Sequence, residues 1–491
     1  MIIRGNAKSN RLDGMSDEDT IYGYGADDQL FGNDGDDHLF GGEGADLLDG
    51  GNGRDWASYD DATAGVYVVL ITGAGYGGEA AGDVLVNIEN LSGSAFGDVL
   101  IGDDGINYIN GNGGNDLIFG LDGTDVLHGG DGDDHIWGGA ARDYIYGDAG
   151  FDYVRYDYAA SAVDVRLDMP SFIGTGGGWA GEAAYDSFFS IEGVVGSLYD
   201  DHIAGNAVAN VLIGLDGNDE LLGRDGDDQL FGGRGADLID GGTGFDYARY
   251  DDATSAVVVD LSTGWGTAGD AFNDHLIDIE GLTGSNYGDT LIGNAADNVL
   301  FGFEGNDNLQ GGGGNDLLLG GNGDDIFNGG AGGDYLQGDL GFDVASYAGS
   351  LSSVSVNLAT GSATFGDAFG DILVGIEGLI GSGFADTLTG DANANMLRGA
   401  EGADRLTGGL GDDQFVFARN DLLAERDTIT DFGVTAGNND MLVFHGIASG
   451  DVALTDVSGG VRISVLDPSF GGDIIVSGVT SAQLGGHLLF A

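Results

Sequence analysis

Aspartate is the residue whose placement could do chemistry in this chain. It recurs at the sixth position of a nine-residue frame, G-x-x-G-x-D-x-L-x. The positions are Asp19, Asp28, Asp37, Asp46 and Asp55; Asp98, Asp116, Asp125, Asp134, Asp143 and Asp152; Asp201, Asp219, Asp228, Asp237 and Asp246; Asp289, Asp307, Asp316, Asp325, Asp334 and Asp343; and Asp386, Asp404 and Asp413. One carboxylate per unit, set in turns whose Gly residues let carbonyls point at one centre, suits a hard cation. Calcium takes six to eight oxygen ligands at about 2.3–2.6 Å, backbone carbonyls included. Side-by-side carboxylates repel one another, and a divalent ion between neighbours would turn that repulsion into folding free energy, because the unfolded chain has no preformed site. Magnesium demands tighter octahedral geometry and gives up water reluctantly. Zinc sites favour Cys and grouped His, whereas this chain has no Cys and its seven His are scattered.

The elements that must position these aspartates are short. The first six residues of a unit are turn formers that tolerate positive φ. The last three centre on an apolar residue such as Leu39 or Leu48 whose neighbours point the other way, as in a very short strand. Such a unit buries nothing alone and must stack on copies of itself. The frame runs in blocks from Gly5 to Ser58, Gly93 to Arg155, Gly196 to Arg249, Gly284 to Ser346 and Gly381 to Val416. Five units carry Asn at the sixth position: Asn10, Asn107, Asn210, Asn298 and Asn395. The first four blocks close alike, at Tyr59, Tyr156, Tyr250 and Tyr347.

Connectors occupy residues 59–92, 156–195, 250–283 and 347–380. Each has an alternating strand signal (Val66, Val68 and Leu70 in the first), a Gly-rich loop, and an Asp six residues before a Glu: Asp83 and Glu89, Asp186 and Glu192, Asp274 and Glu280, Asp371 and Glu377. They are expected to be coils of the same stack with longer loops. Residues 417–491 form a terminal segment in which DTITDF (Asp427 to Phe432) and NDMLVF (Asn439 to Phe444) suggest antiparallel strands, placed to cap the stack. Almost no helix is expected.

Composition narrows the partners. A net charge of −67 with Lys8 as the single lysine argues against nucleic acid and anionic membranes. No apolar run approaches a membrane span of about 20 residues, and the start MIIRGNAKSN lacks a secretory signal peptide. With 99 Gly in a nine-residue rather than three-residue spacing and 2 Pro, collagen is excluded. The regular apolar register argues against disorder.

The frame resembles the G-G-x-G-x-D-x-U-x nonapeptide of the RTX, or hemolysin-type, calcium-binding proteins. The signature D-x-[LI]-x4-G-x-D-x-[LI]-x-G-G-x3-D fits at Asp28 to Asp46, Asp116 to Asp134, Asp219 to Asp237 and Asp307 to Asp325. The resemblance implies an all-β parallel β-roll, a calcium-loaded β-solenoid with two units per coil and a C-terminal β cap. Carried over residue by residue, the sixth-position Asp from Asp19 to Asp413 are the calcium ligands, and the five Asn units depart from the pattern. It also implies a secreted protein and a type I secretion apparatus that reads the C-terminal segment, in keeping with the missing signal peptide.

Catalysis is not expected. No H-E-x-x-H, G-x-S-x-G or P-loop is present. Pairs such as Asp36 and Asp37 recur too often for general acid–base work at any one of them, and GAGYGG at Gly73 to Gly78 is a chance match in a chain so rich in Gly. The frame starts at Gly5, which leaves no room before it for the catalytic domain that RTX enzymes carry. The expected role is extracellular binding of a cell surface, a polysaccharide or calcium itself. The alternatives are an adhesin or surface-layer component, and an enzyme with its site in the connectors or terminal segment.

Overall fold

The structure, a computed structural model, describes residues 1–167, 180–422, 425–466 and 472–491. The Gly-rich loop of the second connector falls in 168–179, outside the described residues. The chain divides into two compact units, Met1–Asp246 and Tyr247–Ala491.

Each nine-residue repeat contributes one strand, and successive strands go to opposite sheets. In the first unit His38–Glu43 pairs in parallel with Thr20–Gly25 and Trp56–Ser58, while Gln29–Asp34 pairs with Arg11–Asp13 and Leu47–Asn52. Two repeats therefore make one coil of a parallel β-roll. Eighth-position residues meet their counterparts one coil on, Ile21 beside Leu39 and Leu30 beside Leu48, and all four are fully buried. The second unit repeats the scheme, with Leu309 beside Phe327 on one sheet and Leu300 beside Leu318 on the other. One apolar side chain per repeat is a thin core.

The strands are longer than the sequence pattern suggests. Gln29–Asp34 runs from the seventh position of one unit through the third of the next, so Asn33 pairs with Gly51. The ladder continues through a second position held at positive φ, by glycines such as Gly42 and also by larger residues such as Tyr24, Leu121, Arg224 and Phe303. At Gly42 (φ 87°) a Cβ would lie 2.3 Å from the Tyr24 carbonyl oxygen.

The connectors are coils of the stack, but the chain overshoots and doubles back. In the first, Tyr67–Val69 lies parallel to Val99–Ile101, one coil ahead. Ala74–Gly77 returns antiparallel to it, and Val84–Val86 then settles on Leu47–Asn52. Asn90–Ser92 completes the coil between Trp56–Ser58 and Tyr108–Gly113. The fourth connector repeats this with Ser355–Asn357, Ser362–Thr364 and Ile372–Val374. Val66 and Val68 are buried as their alternation suggests, whereas Leu70 opens a short 3-10 turn.

The terminal segment corrects one expectation. Arg426–Ile429 pairs in parallel with Arg405–Thr407, and Met441–His445 in parallel with Gln414–Ala418. The two motifs read as antiparallel strands thus extend the roll, because Asp427 and Asp440 accept the backbone N–H groups of Asp404 and Asp413 and continue the same register. The antiparallel element lies further on, in Val452–Val457, Gly460–Val465 and Asp473–Ser477. Among the described residues α-helix is confined to Ser481–Leu484, closed by a capping box of Thr480 and Gln483.

Candidate metal centre

Every sixth-position aspartate is buried, at most 3 % exposed. Within the blocks one carboxylate oxygen does a structural job. Asp37 Oδ1 accepts the backbone N–H of Asp19 (2.7 Å), Asp46 that of Asp28 (2.6 Å), Asp134 that of Asp116 (2.8 Å) and Asp325 that of Asp307 (2.8 Å), each one coil earlier. Asp237 and Asp246 accept from Asp219 and Asp228 in the same way. The side chains thus line up in files that run from coil to coil.

The second oxygen is a different matter. Oδ2 is buried with no hydrogen-bond partner among the described residues at Asp28, Asp37, Asp46, Asp55, Asp116, Asp125, Asp134, Asp143, Asp152, Asp219, Asp228, Asp307, Asp316, Asp325, Asp334, Asp343, Asp404 and Asp413. It points into a space that the first-position Gly leaves open. A Cβ on Gly23 would lie 2.5 Å from Asp28 Oδ2 and 2.5 Å from the Gly41 carbonyl oxygen of the next coil. At Gly111 the corresponding distances are 2.0 Å to Asp116 Oδ2 and 2.4 Å to the Gly129 oxygen. Two acceptors converge there and no donor stands between them.

A buried carboxylate so placed is costly as a bare anion. Burial pushes Asp116 and Asp404 up to about 8, and Asp125, Asp219, Asp307 and Asp316 up to about 7. Neighbouring carboxylates add to the rise, Asp134 beside Asp116 and Asp325 beside Asp307. At neutral pH the folded state therefore needs a proton or a cation at these oxygens. Among the described residues no three His, Asp or Glu side chains gather into one metal-binding group. A cation here would complete its shell with backbone carbonyls and water, which calcium accepts and zinc sites rarely use. The donor set fits calcium, which when bound neutralises the carboxylates and ties adjacent turns together through oxygen ligands.

Not all candidates are alike. Asp98, Asp201, Asp289 and Asp386, each in the first unit of its block, have both oxygens engaged. Asp98 accepts from Val66 N–H (2.7 Å), Ser94 N–H (2.5 Å) and the Ser94 hydroxyl (2.8 Å). Ser197, Ser285 and Ser382 do the same for the other three. Asp19 receives the Met15 N–H and the Met1 ammonium group (each 2.6 Å). At Asn107, Asn210, Asn298 and Asn395 the amide uses both its ends: Asn107 Oδ1 accepts the Asp103 N–H and its Nδ2 donates to the Glu89 carbonyl (each 2.8 Å).

Residues outside the nine-residue frame extend the files. Asp83 Oδ1 accepts the Asp46 N–H (2.8 Å) and its Oδ2 the Tyr59 hydroxyl (3.0 Å). Asp186 and Asp371 play the same part with Tyr156 and Tyr347. Glu89, Glu192 and Glu377 accept the N–H groups of Asp55, Asp152 and Asp343. The spacing of the connector Asp and Glu signalled a shared role, and the blocks' closing Tyr marked where it would fall. Asp427 and Asp440 gave no such signal, because their offsets from the preceding file members are 23 and 27 residues instead of 18. A second ladder, at the fifth position, also escaped the sequence reading. Asp36, Asp133 and Asp324 accept the N–H groups of Arg54, Phe151 and Phe342 on the following coil, opposite in direction to the sixth-position bonds.

A parallel roll with files of buried carboxylates, one oxygen bare at interior members such as Asp116 and Asp307, is built to take cations. The RTX calcium-binding nonapeptide repeat (4 copies) matches residues 2–30, 22–57, 92–127, 119–154, 195–230, 213–248, 283–318, 310–345 and 380–415. These windows cover more than half of the chain, which belongs to that family, and its repeats bind calcium ions. Proteins built on such repeats are typically secreted. No curated protein matches. Among solved structures the extracellular lipase LipA from Serratia marcescens aligns at 16 % identity and a TM-score of 0.14, over 60 % of this chain and 40 % of that one. The alignment therefore spans well under half of the lipase, and a score so low carries no argument.

Proposed function

We propose that this is a secreted protein, exported by a type I apparatus, whose roll folds on meeting extracellular calcium and then serves a non-catalytic binding role outside the cell. The bare Oδ2 atoms carry the calcium dependence: buried anions left without a counter-charge oppose the fold that buries them. Extracellular calcium modules bind at about 10⁻⁴–10⁻³ M, so the chain stays unfolded where calcium is scarce and folds where it is plentiful.

For the ligand, a polysaccharide is favoured by an open cleft of about 360 Å³ in the first unit. Phe119 and Trp137 stack there at 4.2 Å with 9° between their planes, and Tyr158 beside them is 74 % exposed. Asp104, Asp122 and Glu182 line the same cleft. The Arg155 guanidinium lies 4.8 Å from the Trp137 ring centre and is paired with Asp157 (3.2 Å). Aromatic surface for the apolar faces of sugar rings, with carboxylates to accept hydroxyl protons, suits a neutral glycan; the acidic rim disfavours an anionic one.

Two measurements test the reading. Far-UV circular dichroism on chelated protein should show a cooperative gain of β signal with millimolar calcium and none with magnesium. A chain already folded in chelator at neutral pH overturns the switch. Calcium-loaded protein should then co-sediment with an insoluble neutral polysaccharide and lose that binding in Trp137→Ala. Self-assembly in calcium without glycan binding would favour a surface-layer component, and turnover of a glycan or peptide would make it an enzyme.

A further inference from the structure

The carboxylate files do not run unbroken, and the way they begin and end has a consequence for calcium. In the first unit they run Asn10–Asp28–Asp46–Asp83, then Asp19–Asp37–Asp55–Glu89, then Asp98–Asp116–Asp134–Asp152–Glu192, and Asn107–Asp125–Asp143–Asp186, each link a backbone N–H to the next carboxylate or amide oxygen. In the second unit they run Asp289–Asp307–Asp325–Asp343–Glu377 and Asn298–Asp316–Asp334–Asp371. Files that start on aspartate start on one closed by serine, with the exception of Asp19. The others start on asparagine: those from Asn10, Asn107 and Asn298 end on an aspartate closed by a buried tyrosine hydroxyl, whereas that from Asn395 runs through Asp413 to Asp440, whose Oδ2 accepts the Gly433 N–H.

The chemistry of the closed members differs from that of the interior. Asp201 accepts hydrogen bonds from Val163 N–H (2.7 Å), the Ser197 hydroxyl (2.7 Å) and Ser197 N–H (2.5 Å). An interior member such as Asp219 accepts one, from Asp201 N–H (2.7 Å), and leaves Oδ2 bare. Three donors compensate a buried carboxylate and one does not. Tyr156 gives its hydroxyl to Asp186 Oδ2 at 2.8 Å, and Tyr250 gives its own to Asp274 Oδ2 at 2.9 Å, so those oxygens are spoken for as well.

We infer that calcium is confined to the interiors of the files: Asp98, Asp201, Asp289 and Asp386, although they stand at the ligand position of the repeat, and the connector residues Asp83, Asp186, Asp274 and Asp371 hold no ion. A hydroxyl of the chain takes the place of the metal at each of them. The connectors thereby insulate the calcium of one block from that of the next, and the chain binds fewer ions than its count of repeats suggests. The inference rests on calcium binding by the repeats and is independent of what the folded protein binds outside the cell.

The test uses the full chain. Calcium per chain, by equilibrium dialysis and metal analysis at saturation, should be unchanged in Asp98→Asn and Asp201→Asn. It should fall by one ion or more in Asp116→Asn and Asp219→Asn, which keep the hydrogen-bond acceptor and lose the charge. An equal fall in both pairs overturns the inference. Because a variant can fail to fold, anomalous scattering from wild-type crystals grown with terbium gives a second readout. Peaks beside the interior aspartates and none touching Asp98, Asp201 or Asp186 are expected; a peak bound to any of those three overturns it.

Discussion

An aspartate that spends one oxygen on the previous coil and leaves the other bare needs a neighbour with no side chain. The first-position glycine is that neighbour, and the need is steric before it is conformational. Gly23→Ala would bring a methyl to 2.5 Å from both Asp28 Oδ2 and the Gly41 carbonyl oxygen, and the latter is backbone with nowhere to go. A loss of about 3 kcal/mol, the upper end for overpacking, is expected in urea titrations run in calcium. Gly349→Ala is the control: a Cβ there has nothing within 4 Å, and a change under about 0.5 kcal/mol is expected. Two residues before the first-position glycine, on the same inward face of the strand, the eighth position carries the core, as Leu39 does before Gly41. Leu309 is fully buried, and Leu309→Ala should cost about 2–5 kcal/mol and raise the calcium concentration at which the chain folds. Both residue types were legible in the sequence, because a nine-residue period printed dozens of times leaves no doubt about which positions face inward. The serine closure was not, since it depends on the second-position N–H turning toward the carboxylate in the first unit of a block.

A file of such carboxylates behaves as one element and gives that element a pH dependence. Burial raises Asp116 to about 8 and Asp125, Asp143 and Asp152 to about 7, against 3.8 for an ordinary aspartate. Below about 4 folded and unfolded chains are both protonated and the burial of neutral carboxyls opposes nothing. Between there and about 7 to 8 the folded state holds protons that the unfolded state has released, so stability falls as pH rises. In chelator, β structure seen by circular dichroism should therefore be present near pH 4 and lost as pH climbs through 7, and saturating calcium should flatten that dependence. The terminal elements show why a pattern can hide a continuation. Arg426–Ile429 and Met441–His445 join the roll through Asp427 and Asp440, but insertions shift them out of the 18-residue register, and a period search stops at Val416. The same end holds a pair that stands apart from the files: Arg398 meets Asp421 through two bonds of 3.0 Å, with the Asp421 side chain 3 % exposed. Arg398→Ala leaves that carboxylate buried without this counter-charge, while the Ala418 N–H still donates to it. A loss of about 1–3 kcal/mol is expected, discounted for the partial exposure of Arg398, and should appear as faster hydrogen exchange in Gln414–Ala418 and its neighbours.

At the scale of the molecule two kinds of negative charge oppose folding, and they answer to different remedies. A net charge of −67 repels itself across the surface, and that repulsion is screened by any salt once the Debye length shrinks from about 10 Å at 0.1 M to about 3 Å at 1 M. The buried Oδ2 atoms lie out of reach of an ionic atmosphere, so screening leaves their desolvation cost in place. If diffuse repulsion were what keeps the calcium-free chain open, 1 M sodium chloride in chelator would fold it at neutral pH. The file geometry predicts otherwise. Sodium chloride at that strength should leave far-UV circular dichroism close to that of the unfolded chain, while millimolar calcium at low ionic strength should produce the full β signal. Folding by salt alone would mean that the buried carboxylates are met by protons rather than by a divalent cation. The first-position glycines would then be making room for a carboxyl hydrogen bond to the carbonyl of the next coil.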